Sequence, residues 1–141
     1  MPKSPKGGIK LATYFLDTSV IIDVLNGKND RGKLLQNLLE QGSSLACCSI
    51  NIAEIYAGLR KKEEERTRIF LESLECLELS WSIARQAGLL KRDYLQRGQT
   101  LTLSDTLIAA TAIHYGCTLI TDNHKDFPMR ELSLYPMVKN Q

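Results

Sequence analysis

Between Thr100 and Thr121 the chain carries a single formal charge, Asp105, and no other feature limits its possible folds as strongly. Ser104 is a good N-cap, Asp105 falls in the first helical turn, and Leu107, Ile108, Ala109, Ala110, Ala112 and Ile113 make the helix apolar nearly all the way round. A helix of that kind belongs inside a protein. Gly116 turns the chain, residues 118–121 form a short buried strand, and a polar loop runs on to Phe127. An ionised Asp105 in apolar surroundings costs several kcal/mol unless a cation or hydrogen-bond donors meet it. A second acid, Asp122, comes directly after the buried strand. In an α/β architecture a strand's carboxyl end and a helix's amino end share one rim of the sheet, where ligands bind, so the two acids can converge.

The rest of the chain repeats the alternation. Residues 11–16 are an apolar strand that stops at Asp17-Thr18-Ser19, with Thr18 or Ser19 as N-cap of a helix carrying Val20, Ile21, Val24 and Leu25 as far as Gly27. Leu34, Leu35, Leu38 and Leu39 mark a second helix ending at Gly42, and residues 45–48 read as a buried strand. From Ser49, as N-cap, a third helix runs to about Arg60 with apolar residues over most of its circumference. Glu54 is its one charge before Arg60, and it shares a face with Ile50, Ala53 and Ala57, where helical geometry predicts core. A charge run at residues 61–66 leads into a helix with Ile69, Phe70 and Leu74, residues 76–79 make a strand, and a helix from Trp81 to Tyr94 ends before Gly98. Residues 132–135 make an edge strand, since Pro136 follows at once. Strands that alternate with helices imply a parallel sheet covered on both faces, a three-layer α/β/α domain spanning residues 11–141 behind a flexible tail at residues 1–10.

Composition narrows the function classes. A chain of 141 residues with 43% hydrophobic and 24% charged residues is a soluble globular domain with room for a substantial core. No apolar run approaches the ~18 residues of a membrane span, and the charged, Pro- and Gly-containing start has no apolar signal region. Net charge +2 permits a nucleic-acid partner without indicating one. Cys47, Cys48, Cys76 and Cys117 lack metal or redox spacing and read as buried thiols in a reducing cytosol.

Asp17, Glu54, Asp105 and Asp122 can all face the carboxyl rim of the sheet. Several carboxylates at one place repel each other, and a cation neutralises the cluster. Oxygen ligands without His or Cys select Mg²⁺ or Mn²⁺ over Zn²⁺. Such ions activate water and offset phosphate charge, which makes phosphodiester hydrolysis the derived reaction.

Four segments carry a resemblance: Y-F-L-D-T-S-V-I at 14–21, S-I-N-I-A-E-I-Y-A-G-L at 49–59, L-S-D-T-L-I-A-A-T-A at 103–112, and L-I-T-D-N-H-K-D-F at 119–127. In this order and spacing the chain resembles the PIN-domain ribonucleases, and most closely the VapC-like toxins of prokaryotic toxin–antitoxin pairs. The resemblance implies a PIN fold, Mg²⁺- or Mn²⁺-dependent endoribonuclease activity on cytoplasmic RNA, a homodimer, and a small VapB-like antitoxin over the active-site groove. Asp17, Glu54 and Asp105 match the first three acids of the family site, with Thr18 and Ser19 supporting the first. The fourth position falls two places after Thr121, at Asn123, so that either Asp122 or Asn123 fills it and the site holds one ion or two. Asp126 and Phe127 match the family's D-F ending, where the expected role is packing and loop-fixing. Two rivals differ in kind: a non-catalytic PIN-like RNA-binding or scaffold domain, and a phosphatase with an aspartyl nucleophile, whose expected D-x-D is broken by Ser19. Leu34, Leu38, Ile69 and Phe70 exceed what one core buries, which independently points to self-association.

Overall fold

Strand alternation decides how the layers form. The computed structural model describes residues 12–137; the tail at residues 1–10 and Leu11, the first residue of the expected strand, lie outside the described residues. Five strands, β1 (Thr13–Leu16), β2 (Ser44–Cys48), β3 (Glu75–Leu77), β4 (Thr118–Ile120) and β5 (Ser133–Leu134), form a sheet of order β3-β2-β1-β4-β5. Every neighbouring pair is parallel. The helices are α1 (Thr18–Leu25), α2 (Arg31–Glu40), α3 (Ser49–Ala57), α4 (Glu64–Glu72), α5 (Trp81–Gln96) and α6 (Leu103–Tyr115).

Successive strand residues point to opposite faces. Phe15, Cys48 and Leu119 pack into one core with Ile83, Ala87, Leu90 and Tyr94 of α5 and Ile108, Ala109 and Ala112 of α6. Leu16, Cys47 and Ile120 pack into the other with Val20 and Ile21 of α1, Leu35 and Leu38 of α2, Ile55 of α3 and Leu71 of α4. The result is the expected three-layer α/β/α domain. Register places Leu16 beside Ile120 at the carboxyl ends of the two central strands. Asp17 N–H then donates to Ile120 O at 3.0 Å, so the chain leaves β1 still tied to β4.

Local details differ from the expectations. Asp17 itself, not Thr18 or Ser19, caps α1, because its extended backbone lets its carboxylate accept from Thr18 N–H at 2.9 Å. α6 begins earlier than Ser104 implies, since Thr102 accepts from Asp105 N–H at 3.1 Å. Cys48 precedes α3 as its cap residue, and its N–H donates to Asn51 Oδ1 at 2.9 Å. The face of α3 shared by Ala53, Glu54 and Ala57 is open to solvent, because the sheet and α1 cover the opposite side, where Asn51 and Ile55 are buried. Leu38 is buried in the core, whereas Ile69 is exposed. Cys76, on edge strand β3, is exposed, unlike Cys47, Cys48 and Cys117. At the end of α6 His114 is exposed rather than packed in the core, with its ring edge-on to Tyr115. Gly116 holds a left-handed conformation with φ 68°, which ends α6 and redirects the chain into β4.

Candidate functional site

The carboxyl edge of β1 supplies the first acid. Asp17 is 6% exposed, and its second oxygen, Oδ2, accepts from Thr121 Oγ1 at 2.6 Å. Thr121 is fully buried just after β4, so neighbouring parallel strands bring the two residues together although they are far apart in sequence. Burial pushes the Asp17 carboxyl above its ordinary value; the bonds from Thr121 and Thr18 oppose this, and repulsion from Glu54 and Asp126 adds to it.

The second acid arrives on α3 through a relay of polar side chains. Asn51, fully buried, accepts from Cys48 N–H and donates its amide to Thr18 Oγ1 at 3.1 Å. Thr18 donates in turn to Glu54 Oε1 at 2.6 Å. With Asn51 filling its acceptor side, the Thr18 hydroxyl has its proton aimed at Glu54. This chain fastens the amino end of α1 to α3 and holds Glu54 beside Asp17 on the exposed face of its helix.

Asp105, on the first turn of α6, is the third. It is half-buried, and burial is the main cause of a carboxyl raised above its ordinary value; the Thr102 hydroxyl opposes the shift, while Asp17, Asp126 and Glu54 reinforce it. Asp17, Glu54 and Asp105 therefore lie within one another's electrostatic reach.

The loop after β4 is arranged differently. Asp122 Oδ1 accepts from Arg31 Nη2 at 2.6 Å, in an ion pair with only 6% and 14% of the two side chains exposed. Arg31 opens α2, and sequence reasoning singled it out for nothing. Asn123 is exposed, and its N–H donates to Thr121 Oγ1 at 3.0 Å. Asp126, read in sequence as a loop-fixing residue, is the acid of this loop whose field reaches both Asp17 and Asp105. Its position three residues after Asn123, across a single 3-10 turn, was the available signal. Of the two polar residues expected to support Asp17, Thr18 bonds within the site, as does Thr121, whereas the buried Ser19 Oγ has no partner among the described residues.

Among the described residues no three carboxylate, histidine or cysteine side chains close into a finished metal cage. The donor set is still that of a hard divalent cation: carboxylate oxygens, with hydroxyls behind them and neither His nor Cys in the group. Both raised carboxyls owe part of their shift to neighbouring acids, and a cation at this rim reverses that repulsion. The residues fit Mg²⁺ or Mn²⁺.

A parallel three-layer α/β domain with acids gathered at the carboxyl rim of its central strands defines the class. The PIN-domain family model matches residues 14–130, and the chain belongs to that family. It is 33% identical over 119 residues to Ribonuclease VapC2 of Rickettsia felis, covering 81% of this chain and 89% of the relative. Ribonuclease VapC19 of Mycobacterium tuberculosis is 32% identical over 114 residues, covering 81% and 91%. Among solved structures, VapBC2 from Rickettsia felis, bound to a DNA fragment from its promoter, matches with TM-score 0.77 and 29% identity over 87% of this chain and 97% of that one. A toxin–antitoxin complex from Klebsiella pneumoniae matches with TM-score 0.70 and 29% identity over 88% and 99%. No helix among the described residues is long and apolar enough to cross a membrane.

Proposed function

We propose that this protein is a metal-dependent endoribonuclease of the VapC type, the toxin of a toxin–antitoxin pair, acting on cytoplasmic RNA. The observation that carries this reading is the Asn51–Thr18–Glu54 relay, which holds a glutamate on a solvent-facing helix surface beside the buried Asp17. A helix does not need a buried amide and a threonine to restrain an exposed glutamate unless its position matters. The VapC relatives, whose names are those of ribonucleases, support the same assignment.

Asp17, Glu54 and Asp105 would hold the Mg²⁺ or Mn²⁺, with Thr18 and Thr121 fixing the first two. When bound, the ion lowers the pKa of a water and offsets the charge that builds on the phosphate. The protein's own residues do the rest. Thr121 and Thr18 N–H hold both oxygens of Asp17 in place, the Thr18 hydroxyl orients Glu54, and Thr102 caps the turn that presents Asp105. A carboxylate of this set accepts the proton of the attacking water. His124 and Lys125, exposed on the turn beside the site, and Arg130 after it are available to RNA phosphates. Lys91 and Arg92 are less so, since Lys91 donates to Leu101 O and Arg92 pairs with Asp93.

The partners follow from the surface. Leu39, Ile69, Trp81, Leu95 and Leu103 are each more than half exposed, which fits a homodimer and a VapB-like antitoxin covering part of the apolar surface. The solved toxin–antitoxin complexes support this assignment. The test is cleavage of an unstructured RNA in Mg²⁺, abolished by EDTA. RNA binding without cleavage would make the protein a non-catalytic PIN-like scaffold, and release of phosphate from a monoester would make it a phosphatase. A monomer by light scattering at micromolar concentration would remove the homodimer.

A further inference from the structure

Two thiols meet across β2 and β3. In the register of these strands Cys47 stands directly beside Cys76. Facing residues of a parallel pair project from the same side of the sheet, and on that side Cys47 packs into the core with Ile55 of α3 and Leu71 of α4. Cys48, one residue further on, projects into the opposite core with Ile83 and Ala87. A strand spacing of about 4.8 Å falls inside the Cα separation of about 4.4–6.8 Å that a disulfide spans.

Access to the two sulfurs differs. β3 is an edge strand and Cys76 is exposed, whereas Cys47 is fully buried. An opening of about 350 Å³ between α3 and α4, lined by Ile52, Tyr56, Arg68 and Leu71, reaches Cys76 and has room for a small oxidant. Burial pushes the Cys47 thiol up to about 12, and Cys76 adds to the shift by its charge and by a hydrogen bond. Cys47 therefore keeps its proton at neutral pH and is not the first of the two to react. We propose that Cys76 and Cys47 form a peroxide-sensitive dithiol, in which exposed Cys76 is oxidised first and buried Cys47 resolves it to a disulfide joining β3 to β2.

The Cys76 sulfur attacks one oxygen of hydrogen peroxide; an S–O bond forms, the O–O bond breaks, and the thiol proton leaves with the other oxygen as water. The Cys47 sulfur then attacks the Cys76 sulfur; the S–S bond forms, the S–O bond breaks, and the Cys47 proton leaves with hydroxide as a second water. The two thiols give up two electrons, and the peroxide takes them. A disulfide at the exposed edge of the sheet is readily reduced, so thiols reverse the step. While it lasts, the bond closes the chain on both sides of α3 and α4, the segment that carries Glu54.

In the experiment the full-length protein is treated with hydrogen peroxide, unfolded in N-ethylmaleimide, digested without reduction and read by tandem mass spectrometry. The expected result is an intramolecular Cys47–Cys76 link with the loss of two hydrogens, reversed by dithiothreitol and absent in Cys76→Ser. Cys48→Ala should keep the link. Cys47→Ala should lose it and leave a Cys76 sulfenic acid that dimedone captures. Where a variant at the buried positions fails to fold, fragment ions of the linked wild-type peptide distinguish Cys47 from Cys48. A link from Cys76 to Cys48 or Cys117, or a disulfide between the Cys76 residues of two copies on a non-reducing gel, overturns the proposal. Cys76 left unmodified, or carried to sulfinic acid while Cys47 is still alkylated, overturns it as well.

Discussion

Helices α3 and α6 read almost alike in sequence, each apolar over most of its circumference and each carrying one acid before its final turn, yet the fold treats them in opposite ways. α6 buries Thr106, Ile108, Ala109, Ala110, Thr111 and Ala112. α3 buries only Asn51 and Ile55, leaving Ala53, Tyr56 and Ala57 exposed. The cause is position. α6 is packed between the sheet and the length of α5, whereas α3 leaves the carboxyl end of β2 and is covered along one side. An apolar circumference says that a helix is to be covered, without saying whether its own chain or another molecule does the covering. For the acids the two situations complement each other: Asp105 comes from a buried, rigid helix, and Glu54 from an exposed one that needs the Asn51–Thr18 relay to hold it.

The comparison breaks most visibly in catalysis. If both helices deliver an acid to one site, Asp105→Asn and Glu54→Gln should each reduce RNA cleavage on the order of 10²- to 10⁴-fold while leaving the circular dichroism spectrum intact. A fully active Glu54→Gln would show that α3 contributes no chemistry. Stability should separate the helices next. Ile108→Ala in α6 is expected to cost about 2–5 kcal/mol by urea unfolding. Tyr56→Ala on the open face of α3 should stay within about 0.5 kcal/mol for the monomer. A large loss at Tyr56 would mean that its exposed face is covered in solution.

The relay is a smaller but sharper test. Asn51→Ala strips the partner from Cys48 N–H and one bond from Thr18, and a buried polar group left unpaired costs about 1–3 kcal/mol. Cleavage should fall further than stability does, because Glu54 loses its orientation. Restored cleavage in Asn51→Asp, but not in Asn51→Leu, would locate the effect in hydrogen bonding to Cys48.

The smallest effect is electrostatic. The carboxyls of Asp17 and Asp105 are raised in the folded protein above the ordinary 3.8. Below that value both folded and unfolded chains hold the proton. As the pH rises the unfolded chain releases it first, and the stabilisation is lost as the pH passes the raised folded value. Ionising these two carboxyls is therefore unfavourable in the metal-free protein. Asp105→Asn should raise the metal-free Tm by a few degrees at pH 7, with the difference shrinking as the pH is lowered toward the carboxylate range. Differential scanning fluorimetry in EDTA reads it, and a lower Tm in the variant at pH 7 would contradict the repulsion.

Much of this was legible in the chain because it follows from local rules. Period-two strands ended by turn residues, helical spacing between them, and a helix and strand at residues 103–120 whose one charge is Asp105 specify a parallel α/β sheet covered on both faces. An acid after a strand or at a helix start then falls on the carboxyl rim, which is why Asp17 and Asp105 could be named in advance. Caps were harder, since Thr102 and Ser104 are both good caps and only the folded backbone shows that Thr102 takes the place.

What only the tertiary structure decided lies where periodicity ends. Past Ile120 no repeat dictates where a side chain points, and the direction of Asp122 is set by Arg31, an arginine from α2 far away in sequence that a strained loop delivers to it. The same loop carries Asp126, whose charge acts on Asp17 and Asp105. The same holds for the face that α3 leaves open, because exposure depends on which elements the sheet order places beside it. By itself the sequence determined the elements, their order and the rim on which the acids gather, since each depends on neighbours within a turn or a pleat. What Asp122 pairs with, and which helix face stays bare, depended on ion pairs and packing between segments that meet only in the folded chain.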